Sequence, residues 1–289
     1  MKTLVVGGNG FIGKQVTKIL TRAEHDVVGM DIVWTGEETC ERMLCDITQP
    51  LPRVKDVDAI IHLAAIASPQ ICDADPERAM AVNVAGMDNV LKMALASGVK
   101  KVVFPSTAHV YGISPRYLPT DEQHPIYHQS PYTLSKILGE QLCRLYFENH
   151  GLNYTILRLF NVYGAGQADG FFLPDMLTKA KAGRIDLAAP ETTKDWIHVS
   201  DVERAFSLAA ESAYVGVINI GTGRETSLGT IAKMVAEASG AEYHEHPGTA
   251  TRMCADNGRA KRILGWEPKM SLFEGLRTTL EERGLLTKV

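Results

Sequence analysis

With 289 residues, 45% of them hydrophobic and 22% charged, the chain can bury one sizeable core or a core with a smaller lobe. Its formal net charge of -4 is scattered along the sequence and gives no support to a nucleic-acid surface. No run is long enough to span a bilayer, and a first strand starting at residue 3 leaves no room for a signal peptide, so a cytoplasmic protein is expected.

The first expected element is a short buried strand, near residues 3–7, that runs into Gly7-Gly8-Asn9-Gly10-Phe11-Ile12-Gly13 and then a helix near 11–22. Strand, glycine turn and helix form the dinucleotide-binding context, in which missing side chains let backbone N–H groups approach a pyrophosphate at the positive end of the helix. Gly7, Gly10 and Gly13 fit one glycine spacing and Gly8, Gly10 and Gly13 another, so the subtype stays open. A second strand, 26–31, ends in Asp31, at the interval where an acid binds the ribose diol. That carboxylate would repel a 2′-phosphate, and Ile32-Val33-Trp34-Thr35 supplies no cation to neutralise one, so NAD is favoured over NADP.

Strands near 41–44 and 58–63 follow, the latter entering His62-Leu63-Ala64-Ala65, whose small residues would let a cofactor lie close to the backbone. His62 itself reads as a structural histidine. After a helix near 76–97, a strand at 101–106 leads into Ser106-Thr107-Ala108-His109-Val110-Tyr111-Gly112, placing hydroxyls at a strand's C-terminal end. A helix over 131–149 would stack Tyr132 and Lys136 on one face. A phenol titrates near pH ~10 and is a poor proton acceptor unless a positive charge stabilises the phenolate; Lys136 can supply that charge.

A strand at 153–158 comes next, and after Asn161 the pattern loosens. Helices near 173–182 and 201–212, a strand at 217–220, and helices near 228–238 and 272–282 complete the chain, with a separate lobe expected from Gly223. This alternation predicts an α/β protein: a Rossmann-type doubly wound parallel sheet with a small C-terminal α/β substrate lobe. Residues 1–163 would form the NAD-binding domain, with strands from about 193–222 returning to it, and 164–289 would be mainly the substrate lobe. The ligand crevice should lie outside the carboxyl ends of the core strands. Five cysteines, an odd number without metal-type clustering, read as reduced packing thiols, and no metal site is expected.

These residues, together with Arg158-Leu159-Phe160-Asn161-Val162-Tyr163-Gly164, Lys194-Asp195-Trp196-Ile197-His198-Val199-Ser200-Asp201 and Leu264-Gly265-Trp266-Glu267-Pro268, resemble in order the extended short-chain dehydrogenases/reductases, particularly the NAD-dependent nucleotide-sugar epimerases and dehydratases. The resemblance implies a cofactor set of Gly7, Gly10, Phe11, Ile12, Gly13, Asp31, Asp46, Ile47, Leu63, Ala64, Ala65, Asn83, Ser106, Tyr132, Lys136, Leu159 and Val162. Asp46 and Ile47 would meet the adenine, Leu63 to Ala65 and Asn83 the middle of the cofactor, and Ser106 and Val162 the nicotinamide half. The implied catalytic residues are Thr107, Tyr132 and Lys136: Tyr132 as base, Thr107 holding the reacting oxygen, Lys136 anchoring the nicotinamide ribose.

Departures from the family pattern sharpen the expectation. The dehydratases that this chain resembles usually place Asp-Glu after the catalytic Thr, and decarboxylating relatives a Glu at the second position; here stand Ala108 and His109. A 4-epimerase is therefore expected. His109 also suggests an alternative, an NAD-dependent sugar or sugar-acid dehydrogenase. A non-catalytic NAD-binding regulator sits poorly with an intact Thr107, Tyr132 and Lys136. The expected partner is a small-molecule NDP-sugar, contacted by Thr107, His109, Asn161, Lys194 and Arg252. Lys194 stands where the family generally has Arg, and a point charge is not equivalent to a forked guanidinium. A homodimer through the helices near 83–97 and 131–149 is expected, as in many relatives.

Overall fold

A computed structural model describes residues 1–36 and 39–286. The N-terminal half runs β1 (Lys2–Val6), α1 (Phe11–Arg22), β2 (Asp26–Asp31), β3 (Glu41–Leu44), β4 (Ala59–His62), α2 (Pro69–Ala74), α3 (Pro76–Met80) and, after one π-helical turn at Ala81–Ala85, α4 (Gly86–Ala96). Then come β5 (Lys101–Thr107), α5 (Pro131–His150), β6 (Asn153–Leu159), β7 (Asn161–Tyr163) and α6 (Phe172–Lys181). The remainder is β8 (Arg184–Ala188), β9 (Thr193–His198), α7 (Val199–Glu211), β10 (Gly216–Ile220), β11 (Glu225–Ser227), α8 (Leu228–Ser239), β12 (Glu242–His246), α9 (Gly258–Leu264) and α10 (Leu272–Glu282).

Seven strands form one sheet in the order β10-β6-β5-β4-β1-β2-β3, every neighbouring pair parallel. Parallel strands need helical crossovers, so both faces of the sheet are covered and the strands read as nearly continuous apolar runs. On one face Leu4, Val6, Ile60, Val102 and Phe104 pack against Met87, Val90 and Leu91 of α4 and Cys143 of α5. On the other, Val5, Ile61, Val103 and Leu157 meet Val16 and Leu20 of α1 and Val202 and Phe206 of α7. Alternate residues of one strand thus serve two cores, as the period-2 geometry of a strand requires. The strand order reverses between β1 and β4, which opens a crevice at the carboxyl ends of these two strands.

A third core lies outside this sheet. It gathers Tyr163, Leu173 and Met176 of α6, Ile185 and Leu187 of β8, Trp196 of β9, Ile231 and Val235 of α8, and Leu276 and Leu280 of α10. Two small sheets frame it, β11-β9-β7 and β12-β8. The seven strands and seven helices expected from sequence are all present, and β9 opens the 193–222 segment in which further strands are expected; β7, β8, β11, β12, α2 and α9 are elements to which the sequence pattern assigns no place. Those elements are short, and β12 (Glu-Tyr-His-Glu-His) carries almost no apolar signal because it is an exposed strand paired on one side only. Of the segment 193–222, α7 and β10 return to the large sheet, but β9 pairs with β7 and β11 outside it. The stretch after Gly223 is not packed apart from what precedes it, since β11 is hydrogen-bonded to β9. Residues 287–289 of the expected lobe lie outside the described residues. Among the described residues all five cysteines are free thiols, no group of residues could hold a metal ion, and no helix is long and apolar enough to cross a membrane.

Trp266 fastens the C-terminal segment to the large domain. It is 1% exposed, packs in the α1/α7 core, and its indole Nε1 donates to the Asp201 carbonyl at 2.9 Å. The Asp201 carboxylate accepts from the backbone N–H groups of Lys269 and Met270 at 2.9 and 3.0 Å. Trp266→Ala is expected to lose about 3–5 kcal/mol of stability through the cavity and the orphaned carbonyl, read as a lowered midpoint in urea unfolding.

Candidate active site

The crevice at the strand ends is a cavity of about 640 Å³ lined by Gly7, Gly10, Asp31, Asp46, Ile47, Leu63, Ala64 and Ala65 among others. The glycine turn is set by close approach. Gly7 has φ +85°, and a Cβ there would lie 2.5 Å from the Ala64 nitrogen; a Cβ on Gly13 would lie 2.0 Å from the Gly7 carbonyl oxygen. Helix α1 starts at Phe11 and Ile12 with no side-chain cap and no acidic residue in its first turn. Its first N–H groups therefore have no side-chain acceptor, and Asn9 and Gly10 just before them line the cavity, an arrangement suited to a phosphate.

Asp31 closes β2 and ties the loop in place: its Oδ2 accepts from the Asn9 N–H at 2.9 Å and its Oδ1 from the Ile32 N–H at 2.8 Å. Asp46 is held by the Thr48 amide and hydroxyl at 2.9 and 2.8 Å, and these bonds keep its carboxyl below the ordinary carboxylate range. Asn83 stands behind the cavity wall. In the π-helical turn, its side chain accepts from the Ile66 N–H at 2.8 Å and donates to the Ile66 carbonyl and to Ser135 Oγ, both at 3.0 Å. It thereby locks the Ala64–Ile66 loop to α5. Ser106, 3% exposed at the end of β5, has a hydroxyl with no partner. Leu159 and Val162 pack against the α1/α7 core near the ends of β6 and β7. The glycine cradle, the bare helix start, Asp31 and the orphaned Ser106 hydroxyl fit an NAD molecule: Gly7 to Gly13 would take its pyrophosphate and Asp31 its ribose diol.

Sequence brings Thr107, Tyr132 and Lys136 no closer than their helix and strand; the fold brings them together. Thr107 ends β5. Tyr132 and Lys136 lie in the first turns of α5, whose start is specified by Ser130, Pro131 and a reciprocal Ser130/Thr133 capping box. Burial pushes the Tyr132 phenol up to about 12, and the neighbouring Thr107 hydroxyl acts more weakly in the other direction, towards the phenolate. Lys136, 4% exposed, donates from Nζ to the Pro105 carbonyl at 3.0 Å and lies 5.0 Å from the centre of the Phe104 ring. Burial lowers its ammonium to about 8. The protein's own groups thus orient Tyr132 without making it a base at neutral pH; a positive nicotinamide ring beside it would supply the missing charge. His62, 1% exposed and stacked on Phe104, is held down to about 3 by burial and the Lys136 charge, so it is a neutral structural group.

His109 follows Thr107 in a short 3-10 turn, its N–H donating to Thr107 Oγ1 at 3.2 Å. Burial, and then the Lys194 charge, hold its ring at about 4. Lys194 is lowered by burial as well, and no carboxylate pairs with it among the described residues. Asn161 donates to the Asp195 carbonyl at 3.3 Å. Arg252 is turned elsewhere: its exposed guanidinium forks onto Glu225, an arrangement that has to open before it can grip a phosphate. Glu225 escaped the sequence reading, as did Asp195, a buried carboxylate that accepts from Thr222 N and Oγ, Gly223 N and Ala255 N at 2.7–3.1 Å. Its place in Lys194-Asp195-Trp196 was the available signal. Arg78, in the cavity wall, had none.

Gly13→Ala is expected to push the Gly7 carbonyl out of place at a cost of about 1–3 kcal/mol and to leave the purified protein with little NAD, measured as nucleotide released on denaturation. Because His109 is neutral, the KM for the substrate should show no imidazole inflection from about pH 5 to 8. An inflection near the ordinary value of 6.5 that disappears in His109→Gln would show instead a charged ring.

The family model for the NAD dependent epimerase/dehydratase family matches residues 3–221. The chain is 34% identical over 308 residues to UDP-glucose 4-epimerase of Mycolicibacterium smegmatis, covering 97% of this chain and 98% of the relative. It is also 32% identical over 301 residues to UDP-glucuronic acid decarboxylase 6 of Arabidopsis thaliana, covering 96% of this chain and 87% of the relative. Among solved structures, the UDP-glucose 4-epimerase of Thermotoga maritima, determined with UDP-glucose, superposes with a TM-score of 0.88 at 30% identity over 98% of this chain and 99% of that one. With the glycine cradle, Asp31 and the Thr107–Tyr132–Lys136 cluster in the matched span, the chain belongs to the NAD-dependent epimerase/dehydratase family, enzymes of the extended short-chain dehydrogenase/reductase type, and NAD is its cofactor.

Proposed function

We propose that the protein is a nucleotide-sugar 4-epimerase. The observation that carries this reading is the pairing of an intact Thr107–Tyr132–Lys136 cluster with Ala108 and His109 at the two positions that follow Thr107. Elimination of water or loss of carbon dioxide calls for an acid beside the reacting oxygen, and neither residue is one. Thr107 holds the oxygen of the sugar C4 hydroxyl, Tyr132 takes its proton, and Lys136 anchors the ribose next to the reacting carbon. NAD held in the cavity would supply the acceptor, and then the donor, of the hydride at that carbon. The 4-keto-sugar turns over between the two transfers and receives the hydride on its other face, while Tyr132 gives the proton back. The likeness to UDP-glucose 4-epimerases over nearly the whole chain supports an NDP-sugar as substrate.

A second reading, an NAD-dependent sugar or sugar-acid dehydrogenase, draws on the unpaired Lys194 and on His109, which together would suit a carboxylate. The two differ in redox balance. Purified protein incubated with a panel of NDP-sugars should give the C4 isomer with no net NADH; accumulation of NADH with a free sugar acid would sink the epimerase reading. Tyr132→Phe is expected to lower turnover by about 10²–10⁴ while NAD remains bound, and a fully active variant would remove Tyr132 from the role of base.

A further inference from the structure

A buried polar cluster outside the cavity runs from α5 across β6 to the loops at Thr120 and Asp256. Arg158, on β6 opposite Ser106 in register, and Glu140, one turn beyond Lys136 on α5, are both almost wholly buried. Arg158 Nε and Nη2 donate to the two Glu140 oxygens at 2.9 and 2.7 Å. Its Nη1 donates to the Tyr111 hydroxyl at 3.0 Å, and the Tyr111 O–H in turn donates to Asn219 Oδ1 at 2.6 Å. Asn219 Nδ2 donates to the Thr120 carbonyl at 2.9 Å and reaches the Asp256 carbonyl at 3.5 Å, while its N–H donates to Glu122 Oε1 at 2.8 Å.

We infer that Tyr111 and Asn219 are positioning residues for hydride transfer, coupling the helix that carries Tyr132 and Lys136 to the loops of the substrate wall. This rests on the reading of Thr107, Tyr132 and Lys136 as the reacting centre. Each end of the relay is joined to that centre. Glu140 sits on the same face of α5 as Lys136 and Tyr132, so the forked ion pair sets the rotation and depth of the helix. Tyr111 closes the turn that begins directly after Thr107, and Asn219 fixes the loop through Thr120 and the segment at Asp256, next to Ala255 and close in sequence to Arg252. The Tyr111 hydroxyl accepts from Arg158 and donates to Asn219, joining the side chains of two residues that also lie opposite each other in the β6–β10 register. Each nitrogen of the Arg158 guanidinium, both Glu140 oxygens and the Tyr111 hydroxyl have a partner within the relay.

Tyr111→Phe removes only that oxygen and leaves the ion pair intact; Asn219→Ala, or Asn219→Ser where the alanine variant does not accumulate folded, cuts the far end. Both should keep wild-type NAD content, change the KM for an NDP-sugar by less than about twofold, and slow single-turnover reduction of bound NAD by about tenfold, since small misplacements of reacting groups are costly. The double variant should be no slower than either single one. Hydrogen–deuterium exchange, read with no sugar present, should rise at residues 130–136 in both singles. Unchanged reduction rates, additive losses, or exchange at 130–136 that ignores Asn219 would overturn the inference. A wild-type protein that transfers hydride from no sugar would count against the functional reading alone, because the exchange measurement still decides the relay.

Discussion

An almost wholly buried forked ion pair, Arg158 with Glu140, ties α5 to the sheet, and the placement of the residues on that helix depends on it. Removing two charges from water costs several kcal/mol for each, and the cost is offset only when both are held in register with every hydrogen-bonding group satisfied. Here the guanidinium spends its third nitrogen on the Tyr111 hydroxyl, with its carbon 5.0 Å from the centre of that ring. Helix α5 therefore cannot slide or roll on β5 and β6 without exposing a buried charge. Tyr132 and Lys136, on the same helix, inherit that precision.

The electrostatics of the reacting centre follow from burial. Water exclusion raises the Tyr132 phenol to about 12 and lowers the Lys136 ammonium to about 8, so burial drives the two values apart and places the phenol above the ammonium. A lysine that donates to a backbone carbonyl and rests on a phenyl ring is fixed in direction, and its charge acts on whatever lies beyond it. The Tyr132 phenol is thus oriented by the protein, and a positive cofactor ring bound beside it would supply the charge that favours the phenolate.

The substrate side is built on a different principle. Asp195 gathers four donors from the turn after β10 and from Ala255, giving a stiff frame, while Lys194 beside it is left without a counter-charge among the described residues. A half-buried cation without a partner is unfavourable in the free protein, so an anionic group arriving there gains what the fold left unsatisfied. Arg252, by contrast, is already paired with Glu225, and any role for it requires a competing acceptor.

Much of the fold was legible because its signals are local. Seven apolar strands, amphipathic helices between them, the glycine spacing and the Asp31 interval follow from backbone sterics and from the period of side-chain burial, and these specify a dinucleotide-binding sheet without any long-range knowledge. The cavity at the strand ends was legible for the same reason, whereas the roles expected of Thr107, Tyr132 and Lys136 came from the family resemblance. The short strands β7, β8, β11 and β12 were not legible, since pairing across tens of residues, rather than propensity, makes them strands. Nor could spacing show that Asn83 braces a loop instead of facing the cavity, that Arg252 is engaged by Glu225, or that Glu140, Arg158, Tyr111 and Asn219 form one chain of bonds spanning residues 111–219. Sequence by itself determined which chemical groups sit at the ends of which strands; tertiary structure alone decided their protonation and their partners, because both depend on burial and on contacts between segments distant along the chain.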